Sequence, residues 1–185
     1  MRALIICSLC VVLLCGQSAG SDCSSPKTVK VGSFYVVGYA VRTNNADEVH
    51  GRGRIGELWK TFMEHNLGAR IPNRVDGNLI VVYSHYASDE RGPYDYLLGA
   101  RVSSLEGVPA EMTYREVAAG LYALFTTRPG RVDEVVPEQW SRIWETPPAV
   151  LGGIRAFITD YEVYDWRSGN HAQVTIHVGL KPAPR

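Results

Sequence analysis

The chain alternates runs of β-branched and aromatic residues with amphipathic and polar stretches. Ser33-Phe34-Tyr35-Val36-Val37-Gly38-Tyr39-Ala40-Val41 lies within a strand predicted over Val29 to Thr43. Asn44 to Gly53 is polar and glycine-containing, so a loop is expected there. Ile55, Leu58, Trp59, Phe62 and Met63 then recur at helical spacing and predict a helix with one apolar face. Gly68 to Asn78 reads as a loop. Leu79 to Ala87 and Tyr94 to Ser103 read as strands, joined through a hairpin loop from Ser88 to Pro93.

The same order returns. Thr113 to Thr127 predicts a strand, and its Gly120-Leu121-Tyr122-Ala123 echoes Gly38-Tyr39-Ala40. Pro137 suits the first turn of a helix whose apolar face is Val136, Trp140, Ile143 and Trp144, and Pro147-Pro148 end it. Ile154 to Asp165 and Ala172 to Lys181 predict two more strands. Leu98-Gly99-Ala100-Arg101 and Val178-Gly179-Leu180-Lys181 close the two halves alike. Strand-helix-strand-strand, twice, predicts one α+β domain of two βαββ halves, about residues 29–107 and 108–182. Each half alone is marginal; together they make a curved antiparallel sheet with both helices on one face.

Asp160-Tyr161-Glu162-Val163-Tyr164-Asp165 puts a carboxylate where a strand interior calls for apolar side chains. Alternation places Glu162 and Tyr164 on one face and Tyr161 and Val163 on the other. On the last strand Val174, Ile176 and Val178 are expected against the helices, with Thr175 and His177 pointing the opposite way. Glu162 and Tyr164 are expected to share that opposite face. Aligning Gly77 with Gly153 places Tyr86 opposite Glu162. A concave pocket where the halves meet is therefore expected, lined by Tyr86, Asp160, Glu162, Tyr164 and His177 and suited to a small molecule. Tyr83 and His85 are expected on the helix face. Trp59 and Trp140 sit at matching helix positions, where core packing is preferred over stacking on a ligand.

The N-terminus changes the picture. One basic residue, an apolar run from Ala3 to Cys15 and small residues to Gly20 describe a secretory signal peptide, cleaved after Gly20. The run is shorter than a membrane span. The expected product is secreted, periplasmic or lumenal, with a flexible tail over residues 21–28. Cys7, Cys10 and Cys15 leave with the leader. Cys23 alone remains, so no internal disulfide is expected although the compartment is oxidising. Apolar content of 45% and charged content of 21% over 185 residues are those of a globular chain with a core. Zero formal net charge and no Lys/Arg block argue against nucleic acid as a partner. Gly51-Arg52-Gly53-Arg54-Ile55-Gly56 matches a dinucleotide fingerprint in letters only, because a loop and a hairpin replace the βαβ context. The histidines form no metal set, and no cofactor is implied.

In sequence the chain resembles GyrI-like effector-binding domains, the small-molecule module of some AraC- and MerR-type regulators. The matching stretches are Tyr35-Val36-Val37-Gly38-Tyr39, Arg54-Ile55-Gly56-Glu57-Leu58-Trp59 and Val82 to Asp89. Tyr94 to Gly99 and Asp160 to Tyr164 match as well. The resemblance implies a duplicated α+β fold with a ligand cleft between the halves. It also implies a buried glutamate, at Glu162, that meets cationic or polarised ligands among aromatic side chains. Tyr164 takes another pocket-lining position, and His177 stands where an aromatic is common. Some stand-alone relatives hydrolyse strained cyclopropane compounds with the glutamate; others sequester drugs or peptides or bind a protein. No helix-turn-helix segment accompanies the domain here. A binding module for a hydrophobic cationic or polarised molecule is the preferred expectation. The alternatives are a hydrolase using Glu162 and a module that engages a protein partner.

Overall fold

The computed structural model describes residues 26–165, 167 and 169–181. The expected leader and Cys23 lie outside the described residues. Eight strands form one sheet: β1 (Lys27–Val31), β2 (Phe34–Thr43), β3 (Leu79–Ser84), β4 (Tyr94–Val102), β5 (Thr113–Val117), β6 (Gly120–Thr126), β8 (Thr159–Tyr164) and β10 (Thr175–Leu180). Their order is β1-β6-β10-β8-β3-β4-β2-β5, and neighbours run antiparallel. Short β7 (Gly130–Arg131) and β9 (His171–Ala172) pair separately. Counted within the two expected halves, the central six strands read first, third, second, then second, third, first. The halves therefore meet at the β8–β3 seam.

The sheet has to curl. Flat, six strand spacings from β6 to β5 would span roughly 29 Å. Only Ala118 and Ala119 join those strands, and three Cα steps reach about 11 Å. The inside of the curl is filled by buried Val36, Ile80, Val82, Leu97, Val117, Tyr122 and Tyr161. Phe34 of β2 meets Tyr161 of β8 edge to face at 5.4 Å, although the two strands are not neighbours. The Ala118 N–H also reaches Thr159 Oγ1 at 3.3 Å. Close backbone approach contributes as well. Gly38 and Gly99 face each other across β2 and β4. A Cβ on Gly38 would lie 2.1 Å from the Leu98 carbonyl oxygen, and one on Gly99 1.9 Å from that of Val37.

The outer face carries helix α2 (Ile55–Glu64) and helix α3 (Val132–Glu145). Phe62 of α2 and Val135, Val136, Trp140 and Ile143 of α3 pack with Val37, Val81, Leu98, Ile176 and Val178. Helix α3 begins five residues before Pro137, which sits inside it. Val132, Val135 and Val136 continue the apolar period backwards. Pro137 is exposed, so the carbonyl left without its N–H partner lies on the solvent side. The expected loop after β2 contains a short helix, α1 (Asn45–Val49), capped by Asn44 accepting from the Asp47 N–H at 2.9 Å. The strand expected over Thr113 to Thr127 breaks at Ala118-Ala119. Regular pairing in the stretch from Ile154 begins only at Thr159, after the short helix α4 (Pro148–Leu151) and an irregular segment. Strand β1 starts at Lys27, inside the expected tail.

Candidate functional site

Directly opposed residues in an antiparallel pair share a face. Glu162 pairs with Ile176 on one side and Val81 on the other, and both belong to the helix-side core. Asp160, Glu162 and Tyr164 therefore point towards α2 and α3, not away from them as expected. His177 pairs with Tyr161 and faces the inside of the curl. It stacks on the Tyr161 ring at 4.1 Å, outside the Glu162 site. It lines a separate hollow of about 310 Å³ together with Phe34 and Arg101. Burial lowers the pKa of His177 to about 4, so its imidazole is neutral at physiological pH.

Glu162 is wholly buried at the seam between the halves. Its Oε1 accepts from the Tyr83 hydroxyl at 2.8 Å and from Trp140 Nε1 at 2.5 Å. Its Oε2 accepts from the Tyr164 hydroxyl at 2.6 Å. A carboxylate offers about four acceptor positions, which leaves one on Oε2 beside Tyr164. Trp59 donates to the Tyr96 hydroxyl at 2.7 Å, and its ring meets that of Tyr164 at 5.2 Å. Tyr83 stands edge to face against Tyr96 and Trp140 at 5.2 and 5.0 Å. Burial raises the pKa of Glu162 and outweighs the three donors from Tyr164, Trp140 and Tyr83 that oppose it. The same burial, with the Glu162 charge adding to it, holds the Tyr83 and Tyr164 hydroxyls well above their usual range. They remain donors at any physiological pH.

Asp160, also wholly buried, is already partnered. Its Oδ2 accepts from the Tyr86 hydroxyl at 2.6 Å and from Arg155 Nη2 at 2.7 Å. Its Oδ1 accepts from the Gly179 N–H at 2.7 Å. Tyr86 thus reaches Asp160 rather than standing opposite Glu162, the position Val81 takes. The alternation that ordered Tyr83 to Tyr86 ends at His85, whose φ is 49°. The ring of Tyr86 turns inward onto Tyr94 and Phe157. His85 itself is exposed beside Asp95, with Nδ1 at 3.0 Å, and is not a core residue.

A cleft of about 660 Å³ opens on the Tyr164 side of this aromatic box. Its wall is Trp59, Phe62 and Met63 from α2, Leu79 from β3, Val132 from α3 and Tyr164 from β8. Arg74 at its rim spends its guanidinium on the carbonyls of Gly68 and Gly77, at 3.0 and 2.8 Å. The cleft is mostly apolar, with a buried acid one hydroxyl behind its wall, which is the make-up of a small-molecule site. Among the described residues no group of three His, Cys, Asp or Glu side chains is placed to hold a metal ion. No described helix is long and apolar enough to cross a membrane.

Residues 27–180 match the family described as Cass2, integron-associated effector binding protein. The chain belongs to the Cass2 family. Among its relatives is YobU of Bacillus subtilis (strain 168), named as a candidate transcriptional regulator. YobU is 31% identical over 147 residues, 78% of this chain and 90% of its own length. The Vibrio cholerae integron cassette protein VCH_CASS2 shares 26% identity and superposes with a TM-score of 0.67, covering 85% of this chain and 96% of its own. A protein of 14% identity, SAV2435 solved with bound tetraphenylphosphonium, also superposes at 0.67 over 84% of this chain and 93% of its own. These findings establish the GyrI-like α+β fold and membership of an effector-binding family.

For this Cass2-family chain, alternation correctly puts Asp160, Glu162 and Tyr164 on one face of β8, while Tyr86 reaches that face from beyond the end of β3. Sequence reasoning misplaced the face of Glu162; His177 points away from the helices as expected and for that reason does not join the Glu162 site. Tyr83, Trp140 and Arg155 were missed as partners of the two acids. Pairing Glu162 against Ile176 instead of His177 would have found the first two.

Proposed function

We propose that the protein binds a hydrophobic, singly cationic aromatic small molecule in the cleft between α2 and the β8 strand. Glu162 is the counter-charge, and Trp59 and Tyr164 are the walls. The observation that carries this reading is a wholly buried glutamate, ringed by aromatic donors and unpaired with any cation among the described residues. A buried carboxylate of this kind gains most from a ligand that brings its own positive charge into the same low-dielectric space. The family's description as effector-binding and the tetraphenylphosphonium carried by a fold neighbour support it. On this reading the cation binds the ionised acid, so binding releases a proton and strengthens as pH rises through the Glu162 titration. The symmetric strand order supports an origin by internal duplication. The proposed secretory leader over residues 1–20 would deliver the module outside the cytoplasm.

The raised pKa of Glu162 also favours a second reading, a hydrolase in which the neutral acid donates a proton to a strained or electrophilic ligand. Thermal denaturation against tetraphenylphosphonium and neutral triphenylphosphine oxide, beside Glu162→Gln, tests the first reading. A folded-state ligand raises the midpoint by mass action. A cation-selective shift lost in the variant is expected. An equal shift in both proteins would sink the counter-charge role. Hits consumed by the wild type but not by the variant would favour the hydrolase.

A further inference from the structure

Arg155 does not belong to the expected pocket, yet its nearly buried guanidinium sits behind the Trp140 ring that contacts Glu162. Its side chain is 10% exposed, and it pairs at 2.7 Å with Asp160, which is 0% exposed. Its guanidinium carbon lies 4.3 Å from the centroid of the Phe157 ring and 5.8 Å from that of Trp140. Trp140 is one of the three donors to Glu162. Arg155 Nε and Nη1 are buried without a hydrogen-bond partner, and Nη1 forms a second, longer ion pair with partly exposed Glu90 at 3.8 Å.

The geometry counts buried charges. Asp160 and Glu162 project from one strand face, two residues and roughly 7 Å apart. Alone they would be two buried acids on the strand face that reaches the cleft wall at Tyr164, and would draw a doubly charged cation or neutralise each other by protonation. Arg155 cancels one of them. The ionic groups at the cleft rim, Arg74 and Asp165, are of opposite sign.

We propose that the Arg155–Asp160 pair is the specificity determinant of the cleft. It cancels one buried carboxylate, leaves Glu162 as the single uncompensated acid, and so restricts the ligand to one positive charge. The pair touches no part of the ligand; it acts through the field it sets at Glu162. The inference rests on the cleft being the ligand site, as proposed above. Arg155 lies within about 11 Å of the Glu162 carboxylate through the Trp140 ring. At an effective dielectric of about 20, a unit charge at that range changes affinity on the order of tenfold.

The test compares tetraphenylphosphonium with tetraphenylborate, which match in shape and differ in sign, by titration calorimetry on the whole mature protein. Asp160→Asn leaves Arg155 with only partly exposed Glu90 at 3.8 Å and should lower the cation-to-anion affinity ratio on the order of a hundredfold, about tenfold from each probe. Arg155→Gln leaves Asp160 uncompensated and should raise the ratio by a similar factor. A merely structural pair would weaken binding of both probes in both variants. Ratios that move in the same direction in both variants, or not at all, overturn the proposal. Should Arg155→Gln fail to fold, Asp160→Asn and the double variant decide. The double variant should return to the wild-type ratio, and an unchanged ratio in Asp160→Asn overturns the inference. Glu162→Gln separates the two readings. If it leaves the ratio unchanged while the pair's variants shift it oppositely, the counter-charge role of Glu162 falls and the pair's role stands. If Glu162→Gln abolishes cation preference and the pair's variants do nothing, the reverse holds. A wild type that binds neither probe overturns both.

Discussion

Replacing Glu162 by glutamine keeps the shape of the buried side chain and removes its charge. In the wild type, burial makes the folded carboxyl hold its proton to a higher pH than the unfolded chain does, against the opposing donors Tyr164, Trp140 and Tyr83. The sign follows directly. Between the unfolded value near 4.5 and the raised folded value, the native state binds more protons, so stability falls as pH rises. The stabilisation is complete below the unfolded value and is lost as pH rises through the folded one. One group in that window contributes a slope of up to about 1.4 kcal/mol per pH unit. Glutamine contributes none. Below the window the two proteins should agree within about 1 kcal/mol, because the Tyr164 hydroxyl can turn and accept from the new amide. Urea denaturation in half-unit steps from about pH 4 to pH 8 reads the difference, and every other titrating group cancels between the two proteins. The variant should gain on the wild type as pH rises. A difference that is constant, or that moves in favour of the wild type, would refute the reasoning. It would mean that three hydrogen bonds outweigh burial.

Tyr83→Phe removes one donor from Glu162 Oε1 and should cost about 1.5–3 kcal/mol in the ionised form, measured above the Glu162 titration, and less below it. The His177 ring should titrate near pH 4 by nuclear magnetic resonance, and His177→Gln should leave ligand affinity unchanged, because the side chain faces the inside of the curl. Gly99→Ala should destabilise by at least about 2 kcal/mol in chemical denaturation, because the new Cβ meets the Val37 carbonyl within the β2–β4 pair. Trp59→Ala should weaken binding of an aromatic cation by roughly 0.5–2 kcal/mol in calorimetry by removing one wall of the cleft.

Much of the fold was legible because its signals are local. Period 3.6 in Ile55, Leu58, Trp59 and Phe62 and the repeated strand pattern need only neighbours in sequence. The start of α3 was misjudged because Pro137 is a stronger textual cue than the valines before it. The face of Glu162 was misjudged for a different reason. Alternation within β8 assigns two faces but does not say which one meets the helices. That choice depends on register against β10 and β3, and a slip of one residue reverses every side chain. His177 is on the face expected for it and was grouped with Glu162 only because Glu162 was assigned to that face.

The residues alone therefore determined the α+β class, the strand-helix-strand-strand order and the family resemblance, and singled out Glu162 as an acid within a strand. These follow from periodicity, turn chemistry and motif, which are properties of short stretches. The tertiary structure decided what surrounds that acid. Tyr83 and Trp140 lie 79 and 22 residues away from Glu162 in sequence, and both reach it with hydrogen bonds. The pairing of β3 with β8 brings Tyr83 to it, and the packing of α3 on the outer face of the sheet brings Trp140. The electrostatics follow from the same packing. A carboxylate acquires a raised pKa, and Asp160 acquires Arg155, only when burial and contact are both in place.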